Sequence, residues 1–218
     1  MSKITMKPGT MLNPVPVVMV SCGEGNAPDT DKHAGQGARH NIITVAWTGI
    51  INSEPPMTYV SVRKSRHSHD IIERSGEFVI NLVNRDLTFA TDFCGVRSGR
   101  DLDKYETCNL TPAASQVVSC PSIAESPVNI ECRVTEVKEL GSHDMFMAEI
   151  VSVSADDSLM DEKGALRLDK AGLVAYNHGH YYALQRSELG RFGYSVMKPK
   201  TRKRYNAEKR ARTRRRKR

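Results

Sequence analysis

One stretch of the chain, residues 41–70, most constrains what the protein can fold into. It reads NIITVAWTGIINSEPPMTYVSVRKSRHSHD. Residues 42–47 and 57–62 are rich in β-branched and aromatic side chains, and Pro55 and Pro56 separate them. This pattern predicts two strands that lie close together around a turn. The fold should therefore be organised around a β-sheet that contains both strands.

A basic, hydroxyl-rich loop follows the second strand. Residues 63–69 contain no apolar side chain, and the residues up to Gly76 have the pattern of a short helix with Ser68 as its N-cap. A helix N-terminus offers unpaired N–H groups and partial positive charge, which together with guanidinium and hydroxyl donors can bind a phosphate. The same residues also fit a solvated basic turn before a capped helix, and spacing alone favours that simpler interpretation.

Charge is distributed unevenly along the 218 residues. Residues 198–218 contain thirteen Lys or Arg and one acidic residue, a net charge of +12, so the total of +7 leaves −5 for the other 197. With 39% hydrophobic residues in the whole chain, residues 1–197 are predicted to form one globular domain. Residues 198–218 are predicted to be a disordered tail, since like charges repel and apolar residues are almost absent. The tail either binds nucleic acid or another polyanion, or serves solubility or localisation without a specific partner.

Several classes of protein are excluded by missing signals. The five cysteines are scattered without a CxxC pair, which predicts a reduced, cytoplasmic protein. Neither an apolar signal-peptide core nor a run of eighteen apolar residues occurs, so export and membrane spanning are not expected. The glycine patterns of Rossmann and P-loop nucleotide sites are absent. The histidine pairs at 67/69 and 178/180 lack a third ligand at a recognised spacing, so no metal site is predicted.

The rest of the body also has mainly strand patterns. Strands are predicted at residues 14–21, 77–83, 128–137 and 145–153, with a short helix at 87–94 and a long loop, a candidate cover, at 23–39. The strand at 128–137 alternates between apolar and polar residues, which predicts that one face, with Asn129, Glu131, Arg133 and Thr135, is exposed. It should form a hairpin with the next strand around a turn at residues 140–144.

Several ordered segments resemble the flavin reductase-like proteins of the FMN-binding split-barrel superfamily, and most of all the flavoredoxin branch. These segments are NIITVAW through SEPP to SVRKSRHSH, then GEFVINLV, FCGVRSGRDLDKYE, GSHDMFMAEIV and YNHGHYYALQRSELGRFGYSV. The resemblance implies a mainly β protein, an antiparallel split β-barrel that binds FMN, with a few short helices outside the barrel. It also implies a homodimer with each flavin near the subunit interface.

The resemblance further implies which residues contact the flavin. Arg63, Ser65 and Ser68, with the backbone N–H groups around Arg66 and His67, are expected to hold the FMN phosphate. Asn41 is expected near the ribityl chain, and the isoalloxazine and its surroundings are assigned to Thr44, Val45, Ala46, Trp47, Ser61, Val62, Phe93, Cys94, Gly95 and Lys104. In the GSHD turn, His143 is the expected catalytic contact with a reductant or substrate.

The implied function is that of an NAD(P)H-dependent flavin reductase or oxidoreductase, with FMN as cofactor and NAD(P)H as a transient co-substrate. Two alternatives stay open: a flavoredoxin-type electron carrier that a partner protein reduces, and a polyanion-binding module that uses the basic tail. The role of Cys94 is also open, because a thiol beside a flavin is either redox-active or a small packed residue.

Overall fold

The computed structural model describes residues 1–23, 40–184 and 188–216, in two compact units, Met1–Leu184 and Gln185–Arg218. Most of the loop predicted at residues 23–39 lies outside the described residues. The first unit consists mainly of short antiparallel strands with three α-helices. The strands are β1 Val15–Pro16, β2 Val18–Gly23, β3 His40–Val45, β4 Thr48–Ser53, β5 Pro56–Val62, β6 Glu77–Leu82, β7 Pro112–Ala113, β8 Ser122–Ile123, β9 Val128–Glu139, β10 Asp144–Ala155, β11 Val174–Asn177 and β12 His180–Ala183.

The helices of the first unit are α1 His67–Ser75, α2 Thr88–Val96 and α3 Lys104–Thr107. Single 3₁₀ turns occur at Asp157–Leu159 and Leu168–Lys170. As predicted, α1 ends at Gly76, which has φ +67° and donates its N–H to Ile72 O. Glycine adopts this left-handed conformation without steric cost.

A seven-stranded antiparallel sheet in the order β3-β2-β6-β9-β10-β5-β4 forms the body of the first unit. β3 and β4 are consecutive in the chain but lie at opposite edges of this sheet, since β3 pairs with β2 and β4 with β5. Ser61 N–H also donates to Trp47 O at 2.9 Å, next to the β3–β4 junction. The chain therefore closes the sheet into a split barrel at this junction.

The central strand pattern differs from its prediction in one respect. Residues 48–53 form a third strand, β4, and the hairpin around Pro55 joins β4 to β5 instead of β3 to β5. β4 was missed because the prediction treated residues 48–56 as one connection between two apolar runs. The predicted hairpin of β9 and β10 is confirmed. Each strand ends two residues later in the chain than expected, at Glu139 and Ala155, and β10 begins one residue earlier, at Asp144.

The two faces of β2 explain why all six of its residues are buried. Val18 and Val20 point into the barrel core, where they cluster with Ile72 of α1 and with two strand residues, Phe78 and Phe146. Val17 and Met19 face the opposite side and pack with residues of α2 and α3. Because neighbouring strand residues point to opposite faces, the β2–β3 pair lies between α1 on one side and α2 with α3 on the other.

One residue on the predicted exposed face of β9 is buried. Glu131 is 2% exposed, and its carboxylate accepts hydrogen bonds from the backbone N–H groups of Gln116, Val117 and Val118 at 2.7–3.1 Å. The expectation of exposure was wrong here because the loop before β8 covers this part of the strand. A buried carboxylate needs such donors to offset the cost of its desolvation.

The second unit contains a 3₁₀ turn, Tyr194–Val196, and one long helix, α4 Pro199–Arg216. The predicted disordered tail thus has a helical backbone here. Lys, Arg, Ala and Glu are strong helix formers, so local propensity favours the helix, whereas like-charge repulsion opposes it. Disorder of the free segment in solution stays a prediction. None of the helices within the described residues is long and apolar enough to cross a membrane.

Candidate functional site

Two adjoining cavities lie at the end of β3, where α1, α2 and the start of α3 meet the barrel. The first, called the basic cavity, has a volume of about 420 Å³, and the second, the floor cavity, of about 490 Å³. Ile43, Arg63 and Arg66 line both of them. The predicted residues divide between the two, with Asn41, Ser65, His67, Ser68, Cys94 and Lys104 in the basic cavity and Thr44, Val45, Ala46, Trp47, Ser61, Val62, Gly95 and His143 in the floor cavity.

The basic cavity lies at the N-terminus of α1. Arg66 occupies the N-cap position without a side-chain cap, so Ser68 is the second residue of the helix and the predicted capping role of Ser68 is wrong. The N–H of Arg66 donates to Arg63 O at 2.9 Å and is therefore not available to a phosphate, contrary to expectation. The N–H groups of His67 and Ser68 lie in the first turn, where helical N–H groups lack intrahelical partners.

Asn41 and Ser68 form a buried pair at the wall of the basic cavity. Asn41 Nδ2 donates to Ser68 Oγ at 2.8 Å, and both side chains are at most 4% exposed. Gly99 packs directly on Asn41, since a Cβ atom at Gly99 would lie 2.0 Å from Asn41 Oδ1. The close approach of the loop at residues 97–100 to β3 therefore requires glycine at position 99.

Lys104 brings a positive charge to the inner wall of the basic cavity. Its side chain is buried, and Nζ donates to Ile42 O at 2.6 Å and to Cys94 O at 2.8 Å. Burial lowers the pKa of Lys104, and the neighbouring Cys94 and Cys22 thiols partly oppose this effect. Two backbone acceptors account for two of the three N–H groups of an ammonium, which leaves one for a ligand in the cavity.

The environment of Cys94 favours packing over redox chemistry. The residue is 1% exposed, and burial, with a smaller contribution from the Cys108 thiol, raises the pKa of Cys94 to about 12. A reactive thiol needs a depressed pKa, because the thiolate is the nucleophile. Cys94 is thus held as a neutral thiol in the wall beneath the cavity.

The floor cavity is bordered by the backbone at the β3–β4 junction. Thr44 does not offer its hydroxyl to the cavity, because Oγ1 donates to Thr91 O of α2. Gly95 of α2 lies against the same threonine, and a Cβ atom there would be 3.2 Å from Thr44 Cβ. This close approach keeps α2 against β3 and leaves backbone groups of residues 44–47 to form the floor.

His143 lies at the edge of the floor cavity, in the turn between β9 and β10. Its Nδ1 is 2.8 Å from Ser142 Oγ. Burial, and then the positive charge of Arg63, lower the pKa of His143. The imidazole is therefore neutral at pH 7, and it can donate or accept a hydrogen bond without adding charge.

A buried polar pair that the sequence did not predict fixes this turn. His69 Nε2 of α1 lies 2.8 Å from Asp144 Oδ2, and both side chains are at most 5% exposed. Lys64 Nζ bridges the same region, at 2.7 Å from Glu139 Oε2 and 3.6 Å from Asp144 Oδ2. These contacts connect the loop before α1 to the β9–β10 turn, so they set the position of His143 relative to Arg63.

Other residues of the site were also missed. Arg97 and Ser98 line the basic cavity, and the similarity of the RSG sequence at 97–99 to the basic, serine-containing loop before α1 was a signal that could have identified them. Tyr181 lies in the floor cavity, where its hydroxyl donates to Asp92 Oδ1 at 3.1 Å and its ring meets Tyr176 edge-on. No local sequence pattern marks Tyr181, because β12 and α2 are brought together only by the fold.

Phe93 is the one predicted contact that lines neither of these two cavities. Its ring stacks on Phe89, one turn earlier in α2, with ring centroids 6.3 Å apart. Phe89 is 76% exposed, so the pair lies on the outer side of the helix. The 100° step of an α-helix separates Phe93 from Cys94 and Gly95, which face the site.

The residues of the two cavities fit FMN. Guanidinium groups from Arg63, Arg66 and Arg97 and the start of α1 supply the donors and positive charge that a phosphate dianion needs. His67 Nε2 is a buried polar atom without a hydrogen-bond partner among the described residues, and burial, followed by the charge of Arg100, lowers the pKa of His67. An unpaired buried group of this kind in the cavity wall is suited to a ligand.

An antiparallel split barrel with a basic cavity beside a backbone-lined floor defines a protein of the split-barrel flavin-binding class. The chain belongs to the flavin reductase-like family, since the family profile described as "Flavin reductase like domain" matches residues 10–185.

Known proteins agree with this assignment. An uncharacterised protein of Archaeoglobus fulgidus is 34% identical over 123 residues, which cover 56% of this chain and 70% of the relative. The flavoredoxin of Desulfovibrio vulgaris (Miyazaki F) superposes with a TM-score of 0.76 and 28% identity, covering 88% of this chain and 97% of that chain. The flavoredoxin from Methanosarcina acetivorans has the same fold, with a TM-score of 0.75, 24% identity and coverage of 90% and 100%.

Proposed function

We propose that the protein is an FMN-dependent oxidoreductase that takes electrons from NAD(P)H. The observation that carries this proposal is the pair of adjoining cavities that share Arg63 and Arg66. One cavity has the donors for a phosphate, and the other is lined by residues 44–47 at the β3–β4 junction, whose backbone groups can face the polar edge of a ring system. A flavin mononucleotide contains these two parts in one molecule.

The protein's own residues bind and orient the cofactor. Arg63, Arg66 and the first turn of α1 hold the phosphate, with Ser65 beside them, and Lys104 contributes charge from below. The Asn41–Ser68 pair keeps the first turn of α1 in place against β3. FMN, when bound, supplies the capacity to accept a hydride, while the protein provides position, electrostatics and exclusion of water.

His143 is the proposed contact for the reductant or substrate. Its lowered pKa keeps the ring neutral at pH 7, next to the positive charge of Arg63. Hydride uptake by a flavin requires no side-chain acid or base, so His143 acts in binding and orientation. Since the sequence lacks the Rossmann and P-loop glycine patterns, the nicotinamide nucleotide is expected to bind transiently over the flavin.

The test begins with the absorbance spectrum of the protein after addition of FMN and removal of the excess. Stoichiometric flavin bands that bleach under anaerobic NADH or NADPH support the proposal.

In Arg63→Ala/Ser65→Ala, loss of one charge-assisted and one neutral hydrogen bond, together worth about 2 kcal/mol or more, is expected to weaken FMN binding more than tenfold. Arg85→Ala is the matched control, because Arg85 is exposed and lines neither cavity. Unchanged FMN affinity in the double variant would contradict the assigned site.

A second candidate function is electron transfer as a carrier. The likeness to a flavoredoxin at 28% identity favours it. A carrier binds FMN equally well but is reduced by a redox partner protein, so its flavin bands persist under NADH and NADPH and bleach only when a reduced partner is added. The same spectroscopic experiment therefore distinguishes the two functions.

A further inference from the structure

The basic segment, residues 198–218, carries a function separate from the flavin site. We propose that it docks the protein on nucleic acid by binding the phosphate backbone at physiological salt. The segment lies beyond residues 10–185, the range of the family profile. The residues described as lining the two cavities all lie before it in the chain.

The basic segment and the rest of the chain carry net charges of opposite sign. The segment's thirteen Lys or Arg and single acidic residue give +12, whereas the other 197 residues carry −5. A positive field concentrated in about a tenth of the chain attracts polyanions, and its strength depends on salt. A surface that only keeps a protein soluble has no need of such separation, since mixed charges serve that purpose.

The residue pattern along α4 distinguishes a nucleic acid from a membrane surface or an apolar protein groove as its partner. Ten of the 18 residues in Pro199–Arg216 are Lys or Arg, and none of the 18 is Val, Ile, Leu, Met, Phe or Trp. A helix that lies on a membrane, or in an apolar groove of a partner, needs an apolar face. α4 lacks one, so its sequence fits a partner that offers charge alone.

The beginning of α4 is fixed within its own unit. Tyr205 donates its hydroxyl hydrogen to the Glu188 carboxylate, and the Arg191 guanidinium lies 4.9 Å from the centre of the Tyr205 ring. Arg202 and Lys203 are exposed on this first part of the helix. These contacts hold one side of the helix start while leaving basic side chains at the surface.

The chemistry of the basic residues favours phosphate. Eight of the thirteen are arginine, whose planar guanidinium binds phosphate oxygens in bidentate geometry. A helix of 18 residues is about 27 Å long, a length that spans about 16 phosphates of a B-form duplex. If about six are neutralised, the logarithm of the binding constant should fall with that of the salt concentration with a slope of about −5.

The test uses the full chain and fluorescein-labelled 20-base-pair duplexes of DNA and of RNA, with anisotropy recorded between about 50 and 300 mM salt. Five arginines, Arg210, Arg212, Arg214, Arg215 and Arg216, are changed together to glutamine in one variant and to lysine in another. Both replacements are good helix formers, but only the lysine variant keeps the charge. FMN titration of each variant checks that the body is intact.

We expect a Kd for the duplex in the micromolar range near 150 mM salt and about a 10³-fold loss of affinity between 50 and 200 mM. In the glutamine variant alone, the slope of the logarithm of the binding constant against that of the salt concentration should become less steep by about 0.9 per lost contact. Similar affinity for the DNA and RNA duplexes supports recognition of the phosphate backbone. Tighter binding to one of the two duplexes identifies that nucleic acid as the partner. Absence of binding near 150 mM, an unchanged slope in the glutamine variant, or tighter binding to phosphatidylserine vesicles at equal phosphate concentration overturns the proposal.

Discussion

At the scale of single residues, Glu131 is a buried charged position outside the flavin site. Its buried carboxylate accepts three backbone N–H groups of the loop before β8. In Glu131→Gln the amide –NH₂ must face one of these donors, which leaves a buried N–H unsatisfied. We expect the free energy of unfolding to fall by about 2 kcal/mol, measured by urea denaturation. The same change at exposed Glu136 of β9 is the control and should alter it by less than about 0.5 kcal/mol. Equal effects at the two positions would show that the loop contacts do not stabilise the fold.

Glu131 also illustrates what sequence cannot provide at this scale. Alternation of apolar and polar residues along β9 predicts that its side chain is exposed, whereas Glu131 and the neighbouring Cys132 are both buried. A loop from elsewhere in the chain covers that face, and nothing in β9 encodes it. The same limit applies to Asp144 and His69, which lie 75 residues apart in the chain and meet only in the folded barrel. By contrast, the basic loop at 63–68 was predictable, because its donors are consecutive in sequence.

At the scale of elements, the loop at residues 97–100 must approach β3 closely for the basic cavity to form. Asn41 is buried and held by Ser68, so it cannot move away from a new methyl group at position 99. Gly99→Ala is therefore expected to displace Asn41, loosen the first turn of α1 and weaken FMN binding about tenfold or more, measured by fluorescence titration. Gly9→Ala is the control, because a Cβ atom there meets nothing closer than 3.9 Å. Normal FMN affinity in Gly99→Ala would mean that this packing does not support the site.

The elements themselves were predicted with uneven success. Strands such as β6 and β9 and the helix α1 were found because their periodicity and their glycine stop are local signals. β4 was missed because it lacks a strong apolar pattern of its own and gains its role from pairing with β5. The closure of the barrel at the β3–β4 junction is a property of the sheet order, which no single strand reveals.

At the scale of the whole molecule, the exposed apolar side chains of β4 favour association of two copies. β4 is the last strand of the seven-stranded sheet, and Ile50 and Ile51 on it are 72% and 44% exposed. An edge strand with exposed apolar residues is a natural pairing site. We propose that this strand contributes to a homodimer, as the family resemblance implies, beside Trp47 of the floor cavity. Sedimentation equilibrium should then give about twice the 24.3 kDa of one chain.

A charge placed on this strand tests the proposed interface. Ile50→Lys loses apolar contact and requires desolvation of an ammonium group, so the dimer dissociation constant is expected to rise at least about a hundredfold. Val153→Lys is the matched control, since Val153 of β10 is an apolar residue of similar exposure, 56%, on another strand. A monomeric wild-type protein, or equal weakening by the two lysines, would exclude β4 as the contact. If dimerisation shields the floor cavity, the FMN affinity of Ile50→Lys should decrease as the protein is diluted. A cavity that is complete in one subunit should keep the same FMN affinity at every dilution.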